Sequence, residues 1–349
     1  MTVNSTPRVL GAAIAAAVLV VIASIKLNAF RDYQIAEIAI EVTAVAGLTI
    51  LTGLSGQISL GNGAFMAIGA YTTALLMLHL NWPFYLVLLI AAAITAAAGA
   101  VVGVAAARLR GPYLAGATLL LGVALPSVAY AYQGFFGGDQ GLNVNFTTPG
   151  FLSATFPLTR WQAWVCSLVA LVVLVLLANL ARSRVGRSWR AVRDDEVAAA
   201  LAGVNVAAAR ILAFVVSAAC AGAAGALLAI VTGLVAPEAF TITLSIALLT
   251  AAVIGGLGTL AGAVWGSLVI VLAPTYATDV ATSHGLSSSV ASNIPVAAYG
   301  AILILVMLLF PQGIQGAVRW VLGLFGISAA RGWRPADLSA TPVKKGNSH

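Results

Sequence analysis

The sequence predicts an all-α, polytopic membrane protein of about ten transmembrane helices, and three observations predict it. Of its 349 residues, 61% are hydrophobic and only 8% charged, with a mean hydropathy of +1.03, a balance that leaves too little polar surface for a soluble globular fold. Apolar runs of roughly 17–25 residues, long enough to cross a bilayer as a helix, recur along the whole chain. The runs are rich in Ala, Val, Leu and Ile and lack the strict alternation of barrel strands. Only helices and closed barrels satisfy their backbone hydrogen bonds in lipid, so the runs are helices.

Ten runs answer this description, at 9–27, 34–53, 64–79, 83–107, 113–132, 161–181, 210–232, 241–257, 262–276 and 294–310. The first, Val9–Ile25 after Arg8, is longer than a signal-peptide core and has no clean small-residue cleavage site behind it, so it reads as an uncleaved span. Charge orients the rest. With the N-terminus inside, the inner segments hold all 17 basic residues except Lys26, Arg31 and Arg160, and the positive-inside rule then puts both termini in the cytoplasm. The net charge of +7 and pI near 9.8 follow from that topology and do not point to nucleic acid. Cys166 and Cys220 lie in different spans and read as small buried apolar residues. His79, His284 and His349 fall in loops or the tail with no ligand spacing, so no metal site is expected.

Residues 1–310 therefore read as one transmembrane domain. An outer loop at about 133–160 carries "GGDQGL", and a second at 277–293 is rich in Ser, Thr and Ala. The inner loop at 182–209 is the one strongly charged stretch. Residues 311–330 predict an interfacial helix with Trp320 at the headgroups, and the polar tail 331–349 predicts disorder.

Two glycine-rich breaks interrupt the pattern, "GLSGQISLG" at 53–61 and "GGLGTLAG" at 255–262, each at the inner end of a span. Paired interruptions are the sequence trace of transporters built from structural repeats, with the substrate path at the repeat interface. Spans 2–5 and 7–10 would be the repeats, in like orientation. In the first break, Gly53, Gly56 and Gly61 permit unusual backbone angles and close approach, while Gln57, Ser59 and Asn62 offer hydrogen bonds to freed backbone groups. Two readings stand side by side: a broken segment lining a translocation path, or a tight turn between packed helices. Gly255, Gly256 and Gly258 supply the same candidates in the second break.

Charge inside a span is rarer. Glu37 and Glu41 share one face of the second run. Glu37 reads as wet at the outer interface, and Glu41, deeper, is a candidate to face a cavity and meet an ammonium group or a proton. In the inner loop, "DDEVAAALAGVN" at 194–205 predicts a short amphipathic helix. Asp194, Asp195 and Glu196 complement the dipole at its start, and Gly203 caps its end. The bland reading is a solvated loop obeying the positive-inside rule; the other is a docking element for a cytoplasmic partner.

At these stretches the chain resembles a known family. "GLSGQISLGNGAFMAIGAYTTALL" (53–76), "GRSWRAVRDDEVAAALAGVNVAAARILAFVVSAACAGAAGALLA" (186–229), "VIGGLGTLAGAVWGSLVIVLAP" (253–274) and "YGAILILVMLLFPQGI" (299–314) resemble the branched-chain amino-acid ABC transporter permeases of the LivM type, over about 30–320. The resemblance implies an importer subunit of the bacterial inner membrane. It would pair with a second, LivH-type permease, take substrate from a periplasmic binding protein and be driven by two cytoplasmic ATPases. The family's coupling motif, Glu-Ala-Ala, three residues, then Gly, maps onto Ala198, Ala199 and Gly203, but Val197 stands at its Glu position and Glu196 one residue earlier. Asn62 stands where the family usually has His, so no role of that imidazole carries over.

The residues agree with that division of labour. None of Lys26, Lys344 and Lys345 sits in a Gly-x4-Gly-Lys-Ser/Thr context, so ATP would be used by partner subunits, with no cofactor on this chain. No nucleophile–base pair suggests chemistry on the substrate, and the chain reads as a transport subunit without enzyme activity. The runner-up is a proton-coupled secondary transporter using Glu41. A channel would need a constriction motif, and no paired Asn-Pro-Ala signature or ring-forming charge motif occurs. The substrate stays open between branched-chain amino acids and urea, amides or aromatic acids.

Overall fold

The computed structural model describes residues 28–80, 82–109, 111–148, 156–283, 300, 308 and 313–324. The expected span at 9–27, that at 294–310 apart from two isolated residues, and the tail at 331–349 lie outside the described residues. Helices dominate: α1 (Ala29–Leu48), α2 (Asn62–Leu80), α3 (Phe84–Ala106), α4 (Pro112–Ala131), the single turn α5 (Gln133–Phe136), α6 (Leu158–Arg182), α7 (Arg184–Asp194), α8 (Glu196–Leu201), α9 (Val206–Thr232), α10 (Ile242–Gly255), α11 (Leu260–Ser283) and α12 (Gly313–Leu324). Among the described residues six are long and apolar enough to cross a membrane: α1 with its continuation to Leu54, α2, α3, α4, α6 and α9. The apolar stretches of α10 and α11 are shorter.

The bundle is organised around α9, which packs on α1, α2 and α3. Lipid tails are as apolar as leucine, so helices in a membrane gain by close backbone approach more than by hiding hydrocarbon. The sequence of α9, "SAACAGAAGA", supplies that approach, and Ala218, Ala221, Ala224 and Ala226 are fully buried. A Cβ on Gly222 would collide with Thr95 of α3, and one on Gly225 would collide with the backbone of α2 at Met66. By contrast α4 and α6 leave most of their surface outward, with Leu120 and Leu168 among the exposed apolar side chains, as suits a lipid-facing rim.

One end of the bundle carries α7 and α8 and is called here the arginine end. The opposite end is stapled. A two-stranded antiparallel sheet pairs β1 (Leu142–Asn143) with β2 (Leu234–Val235), joining the loop before α6 to the chain leaving α9. Gln162 donates to the carbonyl of Ile230 at 2.6 Å, and Arg160 reaches Asp32 at 3.4 Å. α1 begins at Ala29, ahead of the expected span bound at 34, with the amides of Arg31 and Asp32 bonded to the Asn28 carbonyl and Asp32 fully buried inside the helix. Cys166 and Cys220 are free and buried, as expected.

Candidate functional site

The two glycine breaks, about 200 residues apart in sequence, touch. The first begins before its glycines. Thr43 and Thr49 each turn a hydroxyl back onto the carbonyl four residues earlier, at 2.8 Å, which loosens the helical ladder. From Thr49 to Leu54 the helix continues as π-turns, and the amides of Ser55 and Gln57 reach back to Ile50 and Leu51. The chain then runs irregularly to Asn62, where α2 starts. Ser55, Gln57, Ser59 and Asn62 are all at most 5% exposed, while Gly56 and Ile58 face outward, so the segment turns its polar side chains into the protein, where irregular backbone is tolerated.

Its hydrogen bonds go to three other elements, α9, α4 and α10, and to its own turn. Gln57 donates to Ser55 Oγ at 2.6 Å and to the carbonyl of Arg210 in α9 at 3.4 Å. The amide of Leu60 donates to Thr118 Oγ1 in α4 at 3.0 Å, and that of Gly63 to Ser245 Oγ in α10 at 2.9 Å. Ser217 of α9 faces Asn62 Oδ1 at 3.5 Å. Gln57 Oε1 and Asn62 Nδ2 remain buried with no hydrogen-bond partner among the described residues. At Gly61 a Cβ would sit 3.0 Å from the Thr118 carbonyl, so α4 presses closely on the break.

The second break lies between α10 and α11. Gly256 and Gly258 have φ of 114° and 83°, angles that exclude most side chains. Thr259 caps α11, its Oγ1 accepting from the Gly262 amide at 3.2 Å. At Gly53 a Cβ would lie 2.5 Å from Gly258 Cα, so the two breaks meet backbone to backbone. A Cβ on Gly313, at the start of α12, would lie 2.6 Å from Gly256. A Cβ on Gly255 would overlap the Gly262 carbonyl.

Arginine-end helices brace this junction. The helix expected from the acidic triad to Gly203 is present as α8, and a second precedes it: α7 runs through Asp194, and Asp195 starts α8 by accepting from the amides of Val197 and Ala198 at 2.8 and 3.0 Å. The two adjacent carboxylates thus do different work: Asp194 accepts from the Arg193 guanidinium, and Asp195 caps α8. Gly203, at φ 84°, ends α8, with the Val204 amide returning to the Ala199 carbonyl at 3.0 Å. Trp189 is fully buried and donates from Nε1 to the Ala209 carbonyl at 2.8 Å. Glu196 turns inward to pair with Arg210, whose guanidinium also reaches the Ala107 carbonyl of α3 at 3.5 Å. Ala199 is buried beneath α8, whereas Val197 and Leu201 stand 70% and 86% exposed on its outer side.

Glu41 is not part of this junction. It lies two turns before Thr49, about 12 Å along α1 at 1.5 Å per residue, with Oε2 buried and without a hydrogen-bond partner among the described residues. An apolar crevice of about 540 Å³ between α1, α6 and α11, lined by Ile38, Val42, Trp164, Leu168 and Leu268, offers nothing to a charged group. Among the described residues no cluster of His, Cys, Asp and Glu could hold a metal ion. Sequence reasoning missed Arg193, Arg210 and Trp189, and the hydroxyls of Thr118, Ser217 and Ser245. A tryptophan in an arginine-rich loop and lone hydroxyls in apolar runs were the available signals.

The sequence profile of the family described as branched-chain amino acid transport system / permease component matches residues 30–311. The chain is 32% identical over 296 residues to the high-affinity branched-chain amino acid transport system permease protein LivM of Salmonella typhimurium and equally to that of Escherichia coli. Each match covers 78% of this chain and 67% of the relative. It is 31% identical over 194 residues to the LivH permease protein of the same system in Salmonella typhimurium, 56% of each chain.

Proposed function

Since this chain belongs to the family of branched-chain amino acid transport system permease components, we propose that it is one membrane subunit of an ATP-driven importer for branched-chain amino acids. In this reading it sits in the bacterial inner membrane with both termini in the cytoplasm. It pairs with a second, LivH-like permease, receives substrate from a periplasmic binding protein, and is driven by two cytoplasmic ATPases. It carries no ATPase site of its own, consistent with the absence of a P-loop sequence.

The observation that carries the reading is the build of α8. An exposed apolar pair one helical turn apart, Val197 and Leu201, stands out from a short helix fixed at both ends, by Asp195 and by Gly203. Exposed apolar side chains on an element that this reading places in the cytoplasm suit a protein partner. The charged residues behind them hold the helix: Glu196 is spent on Arg210, so its displacement from the motif position makes it a brace and leaves docking to Val197 and Leu201. Asp194, Asp195, Ala198, Ala199 and Gly203 then shape the docking element without forming its contact face. Transport would proceed by movement of the packed helices around the junction of the two breaks, with no chemistry on the substrate.

The test is Leu201→Arg in the full complex, purified from its native membrane and reconstituted with its binding protein. A surface change of this kind costs under about 0.5 kcal/mol of stability. Expected is normal insertion with loss of co-purifying ATPases and at least tenfold less uptake. Full ATPase retention and normal uptake would overturn the docking assignment.

A further inference from the structure

Arg193 lies in the last turn of α7, and its guanidinium reaches into the first break. Its Nη1 donates to the Gly53 carbonyl at 2.6 Å, across 140 residues of sequence. Asp194 Oδ1 accepts from both Nε, at 3.2 Å, and Nη2, at 3.0 Å, so the plane of the fork is held on its other side. The stem is seated too: Gly56 has φ 74°, and a Cβ there would lie 2.7 Å from Arg193 Cγ. A solvated arginine obeying only the positive-inside rule needs neither a seat nor a backbone carbonyl.

The carbonyl it holds is not an arbitrary one. Gly53 is the residue whose other side lies against Gly258 of the second break. One turn earlier on α7, Trp189 is anchored to Ala209 at the start of α9. The short α7 thus has a buried anchor at Trp189 and a charged reach at Arg193, and a displacement of α8 shifts the Gly53–Gly258 crossing relative to α9. Charge-assisted hydrogen bonds are roughly twice as strong as neutral ones, and a planar fork held on two sides transmits direction, which a flexible lysine does not.

We propose that Arg193 is a positioning residue that ties the partner-docking helix to the crossing of the two glycine breaks, so that movement of the one is delivered to the other. This rests on the docking role of α8 proposed above. Three variants of the reconstituted full complex, Arg193→Ala, Arg193→Gln and Arg193→Lys, test it. Uptake per ATP hydrolysed and hydrogen exchange of the 53–60 amides are the readouts.

Expected for Arg193→Ala and Arg193→Gln are retained ATPases, ATP hydrolysis within about twofold of the parent, at least tenfold less substrate moved per ATP, and faster exchange at 53–60. Arg193→Lys should recover part of the ratio. Unchanged uptake per ATP in Arg193→Ala, in a complex whose parent couples normally, overturns the relay alone. ATPases lost from Arg193→Gln and Arg193→Lys also overturn it, since Arg193 would then belong to docking. A parent complex that transports without any ATPase overturns the docking reading and the relay together. The exchange readout is independent of partners: unchanged exchange in all three variants shows that Arg193 does not hold the break.

Discussion

The two glycine breaks touch, yet they are held by different physics. The first is a polar segment fixed by hydrogen bonds to α4, α9 and α10 and to its own turn, with Gln57, Ser59 and Asn62 buried. The second is fitted by shape: Gly255, Gly256 and Gly258 lie against Gly262, Gly313 and Gly53, with Thr259 supplying the cap. Likeness of sequence at the two places therefore does not extend to likeness of local structure. A segment held by hydrogen bonds can exchange partners in steps, whereas one held by contact either fits or does not.

Substitutions can separate the two modes. The largest effect is expected at Gly255→Val, whose side chain would enter the backbone of α11 at Gly262. Overpacking of this kind costs about 3 kcal/mol, read as a lower thermal midpoint of the purified complex and loss of uptake. Gln57→Leu keeps the volume and removes the bonds to Ser55 and Arg210, at about 1–2 kcal/mol, with uptake reduced more than stability. The smallest is Thr259→Ala, which removes the cap of α11 and the hydroxyl's bond to the Gly256 carbonyl, at about 1 kcal/mol. If Gln57→Leu proved as damaging as Gly255→Val, the first break would also be held by shape, and the contrast would fail.

The helices of the bundle were legible because apolar runs of bilayer length have few alternatives. Less legible were features decided by partners far along the chain. Arg31 and Asp32 read as a loop before the span, because nothing local reveals that Arg160 waits to pair with Asp32. In the inner loop the short helix ending at Gly203 was legible, but three acidic residues in a row do not say which of them caps; Asp195 does, and Asp194 belongs to the end of α7. The glycines mark where both breaks lie, although the first already begins at Thr49. That Gly53 lies on Gly258, and that Arg193 holds it, is tertiary information with no local trace.

The staple at the far end has a mechanical consequence. With β1 paired to β2, Gln162 bonded to Ile230 and Arg160 to Asp32, the chains leaving α9 and starting α1 and α6 share one anchorage. Any displacement at the arginine end would then swing these helices about that anchorage as spokes about a hub. Its amplitude would grow with distance from the hub and be greatest toward the end where Gly53 and Gly258 cross.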